Sequence, residues 1–197
     1  MMQKSKTSKK YTQSQVFELL GRALYVCNVI ELQLRWMHKH CGGIWTGKTP
    51  QELLESLKKA IEKQKGDKSP LGPIGVEMLE AIYTPRCNKD LETAEEQGLI
   101  VLKFDYKMAW KGRLRRAKTK FKNFVSVRNT LVHYVARDYN LATSETCQKA
   151  YVNLKKQCEI IKDAFEFFNT DYEMMNKLIQ MYRDDLLKIL QNVGKTK

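Results

Sequence analysis

The stretch that organises this chain is FKNFVSVRNTLVHYV, residues 121–135. Its apolar residues recur at three- and four-residue spacings, which is typical of the inward face of an amphipathic helix. These residues are Phe121, Phe124, Val125, Leu131, Val132 and Val135. Arg128 falls on the same stripe, although a buried guanidinium that lacks a partner costs about 3–5 kcal/mol. Asn129 and His133 are one helical turn apart beside it. The spacing therefore predicts a polar trio at the edge of an apolar seam, an arrangement that resembles an active site.

Two amphipathic helices are predicted before this stretch. Apolar residues three and four positions apart run from Val16 to Met37, and Gly42-Gly43 is a stop signal after them. Thr49-Pro50-Gln51-Glu52 combines an N-cap, a first-turn proline and a capping-box glutamate. This combination predicts the start of a second helix.

The middle and the end of the chain complete an all-α prediction. A Gly/Pro/Ser-rich loop is predicted over residues 66–75 and a short helix over 74–83. Residues 99–106 are rich in β formers, which predicts a small strand pair or an extended arm. Apolar spacing predicts two more helices, over 147–168 and 172–189. Because short connections join long amphipathic helices, the predicted fold is an all-α antiparallel helical bundle with a small β insertion near 99–106.

Size and composition predict one domain. The 197 residues suffice for one packed core, which is assigned to residues 11–192, and the Lys/Ser/Thr-rich residues 1–10 are predicted to be a disordered basic tail. No run of about 18 apolar residues is present, and the N-terminus lacks the apolar centre of a secretion signal. Five cysteines without a CxxC pair argue against a disulfide framework. A cytoplasmic protein without a membrane partner is expected.

Positive charge is concentrated in one segment. The net charge is +13, and the segment from Lys103 to Lys122 contains nine Lys or Arg residues and one Asp. Cations that neutralise phosphates, interleaved with rings that stack on unpaired bases, are typical of proteins that bind single-stranded or looped RNA. An ordinary solvated helical face is the alternative. The predicted RNA-binding residues are Trp110, Lys111, Arg113, Arg115, Arg116 and Lys118.

The motif Arg128-Asn129-Thr130-Leu131-Val132-His133 resembles that of HEPN domains, an all-helical family. Their signature is an Arg, usually followed by a polar residue, and a His a few positions later. The motif lies late in an all-α chain, before further helices, as it does in that family. The first helix, with Glu31 inside LYVCNVIEL (residues 24–32), also looks like a HEPN opening helix. The resemblance covers most of residues 12–190.

The resemblance implies a metal-independent endoribonuclease without a cofactor that acts as a homodimer, with the two Arg/His helices facing one another. In that reaction a ribose 2′-hydroxyl attacks the adjacent phosphate and leaves a 2′,3′-cyclic phosphate and a 5′-hydroxyl. His133 can move protons near neutral pH, and Arg128 can hold the phosphate oxygens with its planar fork of donors. Asn129 would orient the histidine or a phosphate oxygen, and Glu31 would support Arg128.

The family also suggests partners and an alternative. HEPN nucleases commonly occur in toxin–antitoxin and phage-defence systems, so an antitoxin or another regulatory protein is implied as a partner. Some HEPN domains have lost catalysis and act as RNA-binding or protein-interaction modules. The present chain keeps both the Arg and the His, which favours activity.

Two other motifs suggest different chemistry. Residues 42–49, GGIWTGKT, match the phosphate-loop pattern, but the buried strand that should precede such a loop is replaced by a predicted helix. The glycines are better explained as a helix stop and Thr49 as a cap. His38, His40 and Cys41 could ligate a metal, but positions i and i+2 point to different sides of a helix. A solvated helix end is the better interpretation.

Overall fold

The computed structural model describes residues 11–63, 71–84, 97–105, 108, 110–133 and 141–193. This part of the chain contains five helices and two short strands, so the predicted all-α class is confirmed. In chain order the elements are α1 (Gln13–His40), β1 (Gly42–Gly47), α2 (Pro50–Lys63), α3 (Leu71–Tyr83), β2 (Ile100–Asp105), α4 (Arg113–His133) and α5 (Ser144–Val193). The predicted tail over residues 1–10 lies outside the described residues. None of the helices within them is long and apolar enough to cross a membrane.

Helices α1 and α2 begin where the sequence has capping residues. The Thr12 amide donates to Gln15 Oε1 (3.0 Å), and the Gln15 amide donates to Thr12 Oγ1 (3.3 Å). At α2 the Glu52 amide donates to Thr49 Oγ1 (3.2 Å), while the Glu52 carboxylate accepts from the Lys48 amide (2.8 Å). The Gln15 and Glu52 amides belong to first turns and have no intrahelical partner, so these bonds satisfy them, while the Gln15 and Glu52 side chains bond back to the chain just before each helix. The predicted start of the second helix is confirmed.

The β insertion is a two-stranded antiparallel ribbon. β2 pairs with β1 in a register that runs from Gly42 opposite Asp105 to Gly47 opposite Ile100. The strand predicted near 99–106 is therefore confirmed. Helix α1 ends at His40, directly before the predicted stop at Gly42-Gly43, but these glycines also begin the strand β1, which was not predicted. Helix α3 begins at Leu71, inside the predicted loop. Residues 66–70 of that loop lie outside the described residues.

Packing explains why glycines form a strand here. A Cβ atom on Gly43 would lie 2.4 Å from the ring of Trp45, and one on Gly47 would lie 2.5 Å from the backbone nitrogen of Leu53. Atoms without a bond between them do not approach so closely, so a side chain at Gly47 would collide with backbone, and one at Gly43 would require the Trp45 ring to move. The absence of a side chain thus allows the Trp45 ring to lie against Gly43 within β1 and the start of α2 to lie against Gly47.

Helix α5 is continuous over 50 residues, from Ser144 to Val193. The prediction of two helices over 147–168 and 172–189 was therefore wrong about the break. Phe168, Asp171 and Met175 are all fully buried and are three and four positions apart, so one stripe continues through the expected junction.

The chain divides into two compact units, and α1, α4 and α5 contribute residues to both. The first unit consists of residues 1–30 and 120–166, and the second consists of residues 31–119 and 167–197. In the first unit, Val16 of α1 packs with Cys147 and Ala150 of α5. The rings of Tyr11 and Tyr151 stack beside this cluster, with centroids 3.8 Å apart.

In the second unit, paired contacts give the directions of α1 and α5. Gln33 Nε2 donates to Asn169 Oδ1 (2.6 Å), and the ring centroids of Trp36 and Tyr172 are 5.0 Å apart. The residue numbers rise together on both helices, so α1 and α5 run in the same direction in this unit.

Helix α4 begins against α5 in the same unit. Arg113 bonds Asp171, and the guanidinium groups of Arg113 and Arg116 lie 4.1 Å and 6.0 Å from the ring centroid of Phe167. These contacts fix the start of α4, the helix that carries the predicted trio at its other end.

Candidate functional site

Helix α4 buries a continuous apolar stripe, and Arg128 lies on the flank of that stripe. The buried side chains are Ala117, Phe121, Phe124, Val127 and Leu131. Arg128 is half-buried. The predicted inward face needs correction, because Val132 is 48% exposed, Val125 is only half-buried and Val127 is buried. The stripe therefore follows positions 117, 121, 124, 127 and 131, and Val135 lies outside the described residues.

The trio occupies the last two turns of α4. Arg128 Nη1 donates to Asn129 Oδ1 at 3.3 Å, so these two side chains are in contact. Asn129 and His133 are exposed, and their four-residue spacing puts them on one face of the helix. The arrangement presents a guanidinium, a carboxamide and an imidazole close to the surface.

Glu31 lies on α1 and is half-buried. It is the first residue of the second unit, whereas the trio belongs to the first unit. Its role as a support for Arg128 stays a prediction.

The basic segment before and within α4 contains exposed side chains and side chains that form ion pairs within the protein. Trp110 is 58% exposed, and Lys111, Arg115 and Arg116 are exposed. Lys118 is half-buried and pairs with Glu80 of α3 (Nζ–Oε1 2.7 Å). Within the described part of the chain, Lys111, Arg115 and Arg116 form no ion pair.

Arg113, predicted to contact RNA, is instead engaged inside the protein. Its Nη2 forms an ion pair with Asp171 Oδ1, its Nε donates to Asp171 Oδ2 (3.3 Å), and its side chain is only 14% exposed. The guanidinium also lies 4.1 Å from the ring centroid of Phe167 and 5.7 Å from that of Trp110. These contacts commit Arg113 to the second unit and explain why a cation is tolerated there.

Tyr83 completes this cluster, which the sequence analysis missed. Its hydroxyl donates to Asp171 Oδ2 at 2.6 Å, and both residues are buried. Burial raises the pKa of Tyr83 above its usual value, and the neighbouring Asp171 carboxylate raises it further. The signal in the sequence was Asp171 itself, since it lies three residues after Phe168 and four before Met175 on an apolar stripe.

The segment that matches a phosphate-loop pattern is a strand and a helix cap. Residues 42–47 form β1, and the Glu52 carboxylate bonds the Lys48 amide at the start of α2. A carboxylate in that position would repel a phosphate. The structure thus agrees with the interpretation of Thr49 as a cap.

The end of α1 is held by local contacts. His40 Nδ1 is 2.7 Å from the Trp36 carbonyl oxygen, the two rings stack with centroids 4.3 Å apart, and Cys41 Sγ donates to the His38 carbonyl. Burial lowers the pKa of His40. In the described part of the chain, no three His, Cys, Asp or Glu side chains are grouped so that they could hold a metal ion.

No family model, curated protein or solved structure matches the chain. The chemistry that the trio can perform follows from its side chains. An imidazole can exchange protons with a hydroxyl, a guanidinium can bind two oxygens of a phosphate, and a carboxamide can donate to one of them.

Proposed function

We propose that the protein is a metal-independent endoribonuclease of HEPN type. The observation that supports the proposal is the exposure of Asn129 and His133 on α4, with Arg128 hydrogen-bonded to Asn129. Asn129 contacts Arg128 and lies one helical turn before His133, so a proton-transfer group and a phosphate-binding group lie within two turns of α4. Cleavage by the ribose 2′-hydroxyl requires both kinds of group. No cofactor is needed for that reaction.

Each member of the trio has a distinct part in the proposed reaction. His133 removes the proton of the 2′-hydroxyl as that oxygen attacks the phosphate, or protonates the departing 5′-oxygen. Arg128 neutralises the two charged oxygens of the pentacoordinate phosphate. Asn129 holds Arg128 in place through its side-chain oxygen, which leaves its amide nitrogen to donate to the RNA. We further propose that Glu31 supports Arg128.

The proposal extends to partners and setting. RNA is the substrate because exposed Lys111, Arg115 and Arg116 lie close together in the sequence and can neutralise neighbouring phosphates. A homodimer would bring two copies of the trio together across one cleft. A cytoplasmic toxin or antiphage effector restrained by an antitoxin or another regulatory protein is the setting that this activity favours.

The test uses total cellular RNA in EDTA. Wild-type protein should produce fragments with 2′,3′-cyclic phosphate and 5′-hydroxyl ends, and His133→Ala should produce none while its circular dichroism spectrum is unchanged. His38→Ala, which removes a histidine outside the trio, should cleave like the wild type. Equal cleavage by His133→Ala would contradict the assignment.

The alternative is an RNA-binding or protein-interaction module without catalysis. It predicts that RNA binding is equal in wild type and His133→Ala and that neither cleaves any RNA. Binding and cleavage assays on the same two proteins therefore separate the two functions.

A further inference from the structure

Trp110 stands on the surface immediately before α4, in a backbone held by hydrogen bonds. Its amide donates to the Met108 carbonyl (2.9 Å), and its own carbonyl accepts from the Arg113 amide (2.9 Å). Gly112 completes the turn with a φ of 76°, a left-handed conformation that favours glycine. The backbone at Trp110 is therefore held by hydrogen bonds on both sides of the residue.

A buried ion pair holds a cation against this indole. The Arg113 guanidinium is 5.7 Å from the Trp110 ring centroid, within the range of a cation–π contact. Asp171 anchors the same guanidinium, and Phe167 lies on it at 4.1 Å. The indole is 58% exposed and has this guanidinium on one side. A contact that restricts the ring reduces the conformational entropy that is lost when a ligand stacks on it.

The charge around the indole defines what can bind. Lys111 is next to Trp110 in the chain, Arg115 and Arg116 follow in the first turn of α4, and all three are exposed. Lys118 is paired with Glu80 and Arg113 with Asp171, so these two cations contribute less to an external anion. An exposed ring with three exposed cations among the next six residues suits a ligand that carries both an aromatic face and regular negative charges.

We propose that Trp110 is a stacking platform for an unpaired RNA base, whose flanking phosphates are bound by Lys111, Arg115 and Arg116. This inference rests on the proposed ribonuclease function and names its substrate class: RNA with single-stranded or looped nucleotides. In an A-form duplex the bases are stacked on one another and offer no free face, whereas an unpaired base can stack on an aromatic side chain. Arg113 acts as a positioning residue for the indole and does not contact the RNA.

The test compares a labelled single-stranded oligoribonucleotide with the same sequence in a duplex, by fluorescence anisotropy with His133→Ala protein so that the RNA stays intact. We expect Trp110→Leu to weaken single-strand binding by roughly 5- to 100-fold, as loss of one stacking contact implies, and to change duplex binding less than twofold. Trp110→Phe should retain most of the affinity. Tyr25→Ala, which removes another exposed ring (70% exposed), is the matched control and should bind like the parent.

Other outcomes overturn the proposal. Equal losses for single strand and duplex would mean that Trp110 only supports the basic surface. Unchanged single-strand affinity in Trp110→Leu would exclude stacking, and equal affinity for polyglutamate would indicate an acidic protein partner. Failure of the ribonuclease proposal has a different signature, because wild-type protein would then bind the single strand through Trp110 without cleaving it.

Discussion

Arg113 and Asp171 form a two-point ion pair in which the carboxylate is completely buried. Arg113 Nε and Nη2 donate to the two oxygens of Asp171, and the Tyr83 hydroxyl donates to one of them at 2.6 Å. The contacts join the ends of α3 and α4 to the middle of α5. A buried carboxylate remains charged only where donors surround it, so each member of this cluster depends on the others.

We expect Arg113→Met to lower the free energy of unfolding by about 3–5 kcal/mol, because it leaves the Asp171 carboxylate buried without a cation. Methionine keeps much of the apolar length of arginine. Urea denaturation monitored by circular dichroism measures the change. Lys118→Met breaks the more exposed pair with Glu80 and should cost less than about 1 kcal/mol.

The double variant Arg113→Met with Asp171→Asn provides the control for this prediction. Asparagine still accepts a hydrogen bond from Tyr83 but carries no charge, so the double variant should be more stable than Arg113→Met alone. Additive losses would show that charge burial is not the cause.

Arg128→Lys tests whether cleavage needs the guanidinium or only its charge. Lysine keeps the charge but cannot offer two parallel donors to phosphate oxygens. We expect the single-turnover cleavage rate to fall by about 100- to 1,000-fold, the usual effect of removing one transition-state donor, while RNA affinity changes little. Arg22→Lys, on the exposed part of α1, should leave the rate unchanged. A rate within threefold of wild type for Arg128→Lys would show that a point charge is sufficient.

His40 should make stability depend on pH. Burial lowers the pKa of His40 in the folded protein below the value of 6.5 expected when the chain is unfolded. As the pH falls through 6.5, the unfolded chain takes up a proton before the folded chain does, so the free energy of unfolding decreases. The decrease ends at the lowered folded pKa.

The measurement is the urea midpoint between pH 7.5 and pH 5. His40→Phe keeps a ring against Trp36, and His40→Gln does not, but both remove the titration. Both variants should lose less stability than the wild type over this interval. Identical slopes in all three proteins would contradict the assignment to His40.

Two glycines should respond oppositely to the same substitution. A Cβ on Gly47 would meet the Leu53 backbone at 2.5 Å, whereas one on Gly21 of α1 would meet nothing within 4 Å. We expect Gly47→Ala to lower the free energy of unfolding by about 1–3 kcal/mol and Gly21→Ala to raise it by about 0.5–1 kcal/mol. Thermal unfolding of the two variants measures both effects. A neutral Gly47→Ala would mean that β1 and α2 separate easily.

Local patterns predicted much of the secondary structure. Seven positions were taken from the spacing in the first helix. Six of them are buried (Val16, Ala23, Cys27, Ile30, Leu34 and Met37), and Leu19 is half-buried. The start of α2 and the β-rich strand at 100–105 were also predicted, because caps and β-branched residues act within a few residues of the chain. The trio on α4 was recognised for the same reason, since its spacing is that of one helix.

Glycine-rich and polar residues gave less certain signals. Gly42-Gly43 is compatible with a helix stop or a strand, and only pairing with β2 and the ring of Trp45 decides between them. Asn169-Thr170-Asp171 is a sequence often found in turns, yet it lies inside α5. Asp171 there accepts a hydrogen bond from Tyr83 and pairs with Arg113. A sequence typical of a turn can therefore remain helical where side chains distant in the sequence form hydrogen bonds with its polar groups.

The sequence by itself determined the apolar face of α1, where the first helices begin, and that Arg128, Asn129 and His133 share one part of α4. Those properties depend on residues within a few turns of each other. Only the tertiary structure decided that Arg113 is an internal ion-pair partner and Trp110 an exposed ring, although the two are three residues apart in one basic segment. The reason is physical: a cation is internal or external according to whether a distant carboxylate compensates its loss of water, and local periodicity carries no information about that partner.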